Sequence, residues 1–369
     1  MNAAVGRCIV VLCAGLLHAA PAVPGGAVDE LFERGFRAYT FASNATEAVA
    51  CYTQALALSA HHIPSLIELC EVRAVQNRDI EAQRYLLDVI GSHPDTEFAV
   101  RRLASLYRCA GGDRVIAARI ERALPAVTNG FLAMMLRDKL AAIYDQQGRI
   151  AEARALQHSL APLTNWLIAG GFDNAERTGL HTPFEPEERP VTDEPYRGTE
   201  WDVSWRPAQP LMSSGAVWLE IVRPRQWITV YLKTALVAPC ATAAVLHASF
   251  SGAFRVWLNG MPVAENDRYR DDVPFMYRMP LDLAAGTNCL MVKLCAEYNS
   301  TSFHSVLTDT ADWPMMLPGF APKGVPFPPC SATDSWPEPL VSPGTARWRD
   351  AYARNPGDAY AGVMLARYY

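Results

Sequence analysis

The sequence predicts a multidomain α plus β protein, in which an N-terminal helical solenoid is followed by an antiparallel β-sandwich. Residues 27 to 163 carry helical patterns that recur about every 34 to 36 residues. Residues 164 to 320 instead carry short segments in which apolar and polar residues alternate. A chain of 369 residues, half of them apolar, is long enough to form two or three hydrophobic cores.

Residues 1 to 22 have the features of a signal peptide. Arg7 supplies the positive charge, an apolar run follows, and the tripeptide APA offers a cleavage site. Cys13 leaves open a lipid anchor, although Leu12 before it differs from the small residue usual at that position. We therefore expect an exported protein, periplasmic or extracellular, with no transmembrane segment after cleavage.

Charge and cysteine content exclude several classes of partner. The chain has 33 basic and 38 acidic residues without a long basic run, so we expect no nucleic-acid partner. Its nine cysteines show neither a CxxC pair nor a cysteine–histidine cluster. We expect buried thiols and no metal or cofactor, while one or two disulfides remain possible.

The helical region contains a repeat marked by alanine. Ala48, Ala82, Ala117 and Ala153 occupy similar contexts, and alanine lets crossing helices approach closely. The period and the small residues resemble the tetratricopeptide repeat family in a degenerate form, because the tryptophan and leucine-glycine positions of that family are mostly missing. The resemblance implies stacked helical hairpins whose concave face binds a protein or peptide partner.

The second region contains alternating segments that predict strands. Asn259-Gly260 predicts a tight hairpin, because both turn positions need positive φ. Short strands without intervening helices indicate an antiparallel sandwich or jelly roll. The predicted strands are Trp166–Ala169, Glu200–Arg206, Ala216–Val222, Trp227–Ala235, Ala243–Phe250, Ala253–Leu258, Phe275–Leu283, Cys289–Tyr298 and Phe303–Thr308.

The stretch NWLIAGGFDN, residues 165 to 174, has two interpretations: a phosphate-binding loop or a domain border. A phosphate loop leads from a strand into a helix, but a proline-rich polar segment follows here. Gly170 and Gly171 therefore indicate a crowded strand end or a bulge at a domain border.

Several segments of the second region resemble the galactose-binding-like β-sandwich found after tetratricopeptide repeats in large exported bacterial proteins. The segments are NWLIAGGFDN, GLHTPFEPE, FRVWLNGMPV and AAGTNCLMVKL. Many members of that family continue into a transglutaminase-like domain, which this sequence lacks. The resemblance implies a galactose-binding-like jelly roll at residues 164–320, then a proline-rich linker at 321–344 and a partial repeat at 345–369. The partial repeat needs a surface to cover its apolar face.

The best ligand candidates lie around VWLNGMPVAENDRYRDD. Trp257 and Tyr269 could stack on sugar rings, while Asn259, Asp267 and Arg270 could bind hydroxyls or hold calcium through oxygen atoms. The alternative, which we favour, makes Trp257 a packing residue, Asn259 the turn and the charged run a solvated loop. We also expect core positions for the tryptophans at 201, 205, 218 and 227.

Catalytic motifs are not found in the sequence. Adjacent strand residues point to opposite faces, so His304 and Ser305 are not parts of one triad. The acidic loop FEPEERP is expected to be solvated. We therefore expect a non-catalytic interaction protein, whose helical repeats bind a protein partner and whose sandwich supports them. The alternatives are a carbohydrate-binding module of the cell envelope, and a truncated relative or accessory subunit of a transglutaminase-like enzyme.

Overall fold

The computed structural model describes residues 26–106, 114–208, 210–211, 216–250, 252–269, 277–298, 302–324, 328–331, 333 and 335–368. The predicted signal peptide, with Cys13, lies outside these residues, and so does Arg270. Two compact units are present. The first contains the described residues up to Arg149 together with those from Val341, and the second is Ile150–Leu340.

The first unit is an array of antiparallel helices. Helix α1 packs on α2 and α3 on α4, and helices two apart also meet, as α4 meets α6 and α5 meets α7. Within the described chain the helices are α1 (Ala27–Thr40), α2 (Ala45–Leu58), α3 (Ile63–Val75), α4 (Asp79–Ser92), α5 (Glu97–Ser105), α6 (Arg114–Ala123), α7 (Gly130–Gln146), α8 (Ile150–Ser159), α9 (Pro343–Arg354) and α10 (Ala359–Tyr368). Helix α8 belongs to the second unit.

Local sequence explains where several helices begin and how closely they pack. The side chains of Asn44, Asn129 and Ser342 each accept a hydrogen bond from a backbone N–H of the first turn, which caps α2, α7 and α9. The alanines at 48, 82, 117 and 153 fall on α2, α4, α6 and α8, and all of them are buried. Within the first unit, the alanines of α2, α4 and α6 are therefore helix-packing positions, as predicted.

The second unit is built on two antiparallel sheets. One has the order β10-β9-β12-β7-β1-β4, with β14 beside β7, and the other has the order β11-β8-β13-β6-β5. The strands are β1 (Leu167–Asp173), β2 (Tyr196–Arg197), β3 (Asp202–Val203), β4 (Arg206–Pro207), β5 (Pro210–Leu211), β6 (Ala216–Trp218), β7 (Gln226–Ala238), β8 (Thr242–Ser249), β9 (Ala253–Leu258), β10 (Met261–Asn266), β11 (Tyr277–Leu283), β12 (Gly286–Tyr298), β13 (Ser302–Thr308) and β14 (Gly319–Phe320). The predicted α plus β class is confirmed.

A shared hydrophobic core joins the two sheets face to face. Trp166, Leu232 and Phe254 approach it from the first sheet side, while Leu246 and Phe303 come from the second sheet. Alternate residues of β7 and β12 point away from this core, toward the opposite face of the first sheet. That outer face carries a second cluster, which includes Tyr231, Trp257 and Met291.

The glycine pair forms a bulge, as the sequence indicates. The pairing of β1 with β7 shifts register between Gly170 and Phe172. A Cβ on Gly171 would collide with the backbone oxygen of Arg223, so the close approach requires glycine. The pair lies inside β1, and the compact units divide between Arg149 and Ile150 rather than at residues 163/164.

The segment predicted as a proline-rich linker, residues 321–344, is in part hydrogen-bonded to the second unit. Part of it runs along the second unit, where Cys330 N donates to Glu187 O over 2.8 Å and Leu340 N donates to Arg278 O over 2.7 Å. The expected partial repeat is a complete hairpin of α9 and α10, which packs within the first unit. Paired backbone groups and covered apolar faces hold both segments in place.

Candidate functional site

The four described ligand candidates, Trp257, Asn259, Asp267 and Tyr269, do not form one site. Trp257 is 1% exposed, lies edge-on to Trp336 at 5.2 Å and donates its indole N–H to Ser331 O. Asn259 adopts φ +52° in the hairpin turn, and its Oδ1 accepts a hydrogen bond from Cys289 N at 2.7 Å. Both residues have structural contacts that correspond to the packing alternative.

The other two described candidates lie at the far end of the hairpin. Strand β10 separates Asn259 from Asp267, and its six residues span about 20 Å. Asp267 is exposed. The Tyr269 hydroxyl donates to Asn174 Oδ1 over 3.2 Å, Arg177 lies over its ring, and burial raises the pKa of Tyr269 to about 12. Topology therefore separates the proposed stacking and hydrogen-bonding groups.

Three of the four tryptophans that were expected in the core are exposed. Trp201, Trp218 and Trp227 are 51%, 37% and 40% exposed, which corrects their assignment to the core. Trp205 is half-buried, and its indole N–H donates to the Tyr196 hydroxyl over 2.8 Å. Alternation indicates which strand residues share a face, but it does not indicate where a covering loop ends.

Trp218 and Trp227 lie close to one end of the sandwich. Trp218 ends β6 and Trp227 lies near the start of β7, so the short segment between them joins the two sheets. Strand β10 ends at the same side, because Asn266 pairs with Phe254 at the start of β9. An aromatic surface of the second unit is therefore at this end, on residues other than Trp257.

One carboxylate of the acidic loop is partnered rather than solvated. Glu187 Oε1 accepts hydrogen bonds from Tyr231 OH at 2.5 Å and from Lys293 Nζ at 2.8 Å. The side chain of Lys293 is completely buried, and this burial lowers its pKa despite the opposing effect of Glu187. The group fixes the loop on the outer face of the first sheet. Burial raises the pKa of nearby Cys295 to about 11, which keeps its thiol protonated near neutral pH.

A second buried polar group lies on the outer face of the other sheet. Asp312 contacts His247 Nε2 at 3.1 Å and accepts hydrogen bonds from Arg278 at 2.7 and 2.8 Å. Ser305 is buried and pairs with Ala248 on the core side, so it does not join this group. The three charged or polar side chains hold the loop after β13 against β8 and β11.

Aromatic side chains join the α9–α10 hairpin to the first unit. The Tyr360 ring lies edge-on to Phe32 at 5.1 Å and to Phe36 at 5.5 Å, both on α1. At the other end of α10, Tyr368 lies 6.0 Å from the ring of Phe98 on α5. Aromatic pairs in these geometries contribute about 0.5–1.5 kcal/mol beyond the burial of their area.

An ion pair lies between these two aromatic contacts. Arg367 donates from both terminal nitrogens to Glu68, over 2.6 and 3.0 Å. Glu68 is fully buried on α3, and the Arg367 side chain is 17% exposed. Burial disfavours the charge on Arg367, but the Glu68 carboxylate outweighs it and raises the pKa of the guanidinium. The Arg367 guanidinium therefore remains charged beside the Glu68 carboxylate.

Alternate helices of the array thus present one continuous surface to the hairpin. Glu97 on α5 adds a carboxylate that accepts a hydrogen bond from Gly344 N at 2.6 Å. We call this surface the receiving face; it consists of Phe32, Phe36, Glu68, Glu97 and Phe98. No motif in the sequence predicted the receiving face. The available signals were Glu68 inside an apolar helical run, and the spacing of two helical turns between Tyr360 and Arg367.

Metal and thiol chemistry receive little support from the described part of the chain. No group of three or more His, Cys, Asp or Glu residues there could hold a metal ion. The six described cysteines are free; Cys51, Cys70, Cys289 and Cys295 are buried, Cys330 is half-buried and Cys240 is exposed. No described helix has the length and apolar character needed to cross a membrane.

Comparisons with known proteins give only partial likenesses. No protein-family model and no curated protein matches the chain. The PA14 domain of the MpAFP antifreeze protein is 11% identical over 25% of this chain, with a TM-score of 0.22, and the chain spans about half of that structure, 52%. MamA is 16% identical over 35% of this chain and 73% of its own, with a TM-score of 0.26. A β-glucosidase from Kluyveromyces marxianus is 15% identical over 39% of this chain and 16% of its own, with a TM-score of 0.25.

Proposed function

We propose that the protein is an exported, non-catalytic adaptor whose helical unit binds a protein partner, with the β-sandwich as its support. The receiving face is the observation that carries this proposal. It gathers aromatic and acidic side chains from α1, α3 and α5 and binds a helical segment by a bidentate ion pair. Aromatic residues and arginine are the side chains enriched where proteins recognise one another.

The tetratricopeptide resemblance is part of the same proposal. The buried alanines recur once per helix pair, and alternate helices meet along the array. Helical repeats of this type offer several consecutive helices to one ligand, so that each contributes one or two side chains. The signal-like residues 1 to 22 support the proposed export, and the partner of an exported adaptor would lie outside the cytoplasm.

Hydrogen exchange on a captured complex would test the proposal. The full chain serves as bait in a cell-envelope extract, and amide exchange is then compared for bait alone and bait with each captured protein. We expect slower exchange in α1 to α7 of the complex. The Trp218→Ala chain is the matched control and should capture the same protein. Protection confined to residues 216–308 would overturn the adaptor.

A second candidate, a glycan-binding sandwich, is favoured by the exposed Trp218 and Trp227. Indole rings open to solvent at one end of a sandwich suit stacking on the apolar face of a sugar ring. The test is binding of the full chain to a panel of envelope glycans. Loss of a specific signal in Trp218→Ala, with Trp257→Phe unchanged, would make the sandwich a binding module. If glycan binding persisted in both Trp218→Ala and Trp227→Ala, the surface around these two residues would be excluded as the glycan site.

A further inference from the structure

We propose that the receiving face is a binding site for an amphipathic helix that carries an aromatic residue and, seven residues later, an arginine followed by a second aromatic residue. The α9–α10 hairpin, Pro343–Tyr368, is its resident intramolecular ligand. A partner helix of the same chemistry competes with the hairpin. This inference rests on the proposed adaptor function, and it specifies both the partner and the way in which access to the site is controlled.

Among the acidic residues of the receiving face, Glu68 is the one that recognises the ligand. The neighbouring acids already have partners within the array, because Glu71 accepts from Arg102 at 2.6 Å and Glu97 accepts from Arg101 at 2.7 Å. Glu68 instead receives both hydrogen bonds from Arg367 of the hairpin. A planar guanidinium matches a carboxylate with two parallel bonds, which gives selectivity for arginine over lysine.

The contact between the hairpin and the receiving face has the composition of an interface that can separate. Permanent cores are mostly apolar, whereas this contact contains a buried ion pair and the hydroxyl-bearing rings of Tyr360 and Tyr368. When the hairpin leaves, Glu68 regains contact with water, so no acidic side chain is left buried without its partner. A face made only of leucine and phenylalanine would remain an exposed apolar patch.

The hairpin also contains the signals that it needs to remain helical. Ser342 Oγ accepts from Thr345 N at 3.1 Å at the start of α9, and Asp358 Oδ1 accepts from Ala361 N at 2.9 Å at the start of α10. Trp348 of α9 packs edge-on against Tyr360 of α10 at 5.7 Å. These contacts are internal to the hairpin, so they persist when it leaves the receiving face.

Reversing the charges of Glu68 and Arg367 in turn, in the protein and in a peptide, tests the proposal. The probe is a fluorescent peptide of residues 342–368, which keeps the Ser342 cap. The proteins are the full chain and its Arg367→Glu and Glu68→Arg variants, with binding measured by fluorescence anisotropy. If the wild-type hairpin is docked about 99% of the time, the wild-type chain should bind the peptide about 100-fold more weakly than Arg367→Glu does. The Glu68→Arg chain should reject this peptide but bind one that carries Arg367→Glu.

Equal binding of the peptide by the wild-type and Arg367→Glu chains, or no binding by a folded Arg367→Glu chain, would overturn the inference. Hydrogen exchange on the wild-type chain guards against variants that fail to fold. The amides of α9 and α10 should exchange faster than those of α3, through an opening that leaves the array folded. If the amides of α9 and α10 exchanged only when the whole unit unfolds, the inference would also be overturned.

The two proposals fail in different ways. If the peptides do not bind but an envelope protein still protects α1 to α7, the adaptor stands and the hairpin is a permanent part of the unit. If the peptides follow the charge-exchange pattern but no envelope protein is captured, the site is real and the proposed adaptor function is wrong.

Discussion

Gly35 lies in the middle of α1, where glycine costs helix stability, and close packing explains its presence. A Cβ at Gly35 would lie 2.8 Å from Cε1 of Tyr52 and 3.0 Å from Cβ of Cys51. We expect Gly35→Ala to lower the free energy of unfolding by about 1–2 kcal/mol, because the α1–α2 contact is overpacked. Urea unfolding followed by circular dichroism measures this change.

Gly91 provides the matched control for that substitution. It lies on α4, and a Cβ there would meet no atom within 4 Å. Gly91→Ala should therefore be neutral or stabilise the protein by up to about 1 kcal/mol, through helix propensity alone. If both substitutions changed the free energy of unfolding in the same direction, close packing would not explain why residue 35 is glycine.

Tryptophan substitutions separate packing from binding in the second unit. Trp257→Ala should lower the free energy of unfolding by about 3–5 kcal/mol, because a large buried ring is replaced by a cavity. Trp218→Ala should cost about 1 kcal/mol or less, since that ring is partly exposed. Chemical denaturation of both variants gives the comparison, and a small loss for Trp257→Ala would contradict its buried position.

These tryptophans show the limit of prediction at single residues. The alternation of β9 and the Asn259-Gly260 turn were both readable, because they depend on neighbours in sequence. The burial of Trp257 depends on Trp336 and Ser331, which lie more than 70 residues away and cover the outer face of the sheet. No local pattern records that covering.

At the level of strands and loops, the Asp312 group predicts a pH dependence. Burial raises the pKa of Asp312, but hydrogen bonds from His247 and Arg278 outweigh it, so the folded-state pKa lies below the ordinary value near 4. The stabilisation is therefore complete above about pH 4 and is lost as the pH falls through the lower folded-state pKa.

Asp312→Asn tests this dependence. We expect it to lower the free energy of unfolding by about 3 kcal/mol near neutral pH, since Arg278 loses its buried partner. The difference from wild type should shrink as the pH falls below about 4, where Asp312 is protonated first in the unfolded state and then, at its lower folded-state pKa, in the folded state. Urea titrations from pH 7 to pH 3 measure it, and a difference independent of pH would contradict a charged Asp312.

The predicted elements agree best where the sequence carries strong local signals. Strand β9 has the predicted bounds, and β7, β8, β11, β12 and β13 agree within a few residues. The predicted strand at 200–206 is instead two short strands, β3 and β4, and β10 was not among the predicted strands. Strand β10 contains Pro262 and several polar residues, so its pairing with β9, rather than its composition, makes it a strand.

At the scale of the whole molecule, Arg367 connects distant parts of the chain. Arg367→Met should lower the free energy of unfolding of the helical unit by up to about 2.7 kcal/mol, the free energy of a hairpin docked about 99% of the time, because a larger loss releases the hairpin and returns Glu68 to water. Arg367→Lys should cost less, since the charge remains and one of the parallel bonds is lost. Thermal unfolding of both variants checks the order, and equal losses would show that the bidentate geometry is unimportant.

Chain organisation was predictable only in outline. Periodicity identified the change from helices to strands near residue 163, because it is a local property. The position of α9 and α10 in the first unit depends on contacts between side chains 299 residues apart, such as Glu68 and Arg367. A repeat pattern can show that a hairpin needs a surface, but it does not show which surface.

That separation along the chain becomes a separation in time when the protein is made. At about 5–20 residues per second, 299 residues correspond to about 15–60 s between the synthesis of Glu68 and that of Arg367. The receiving face is therefore completed well before its resident ligand exists. A signal peptide sends the N-terminal end across the membrane first, so the receiving face also reaches the partner's compartment before its resident ligand, and a partner present there during this interval meets no competitor.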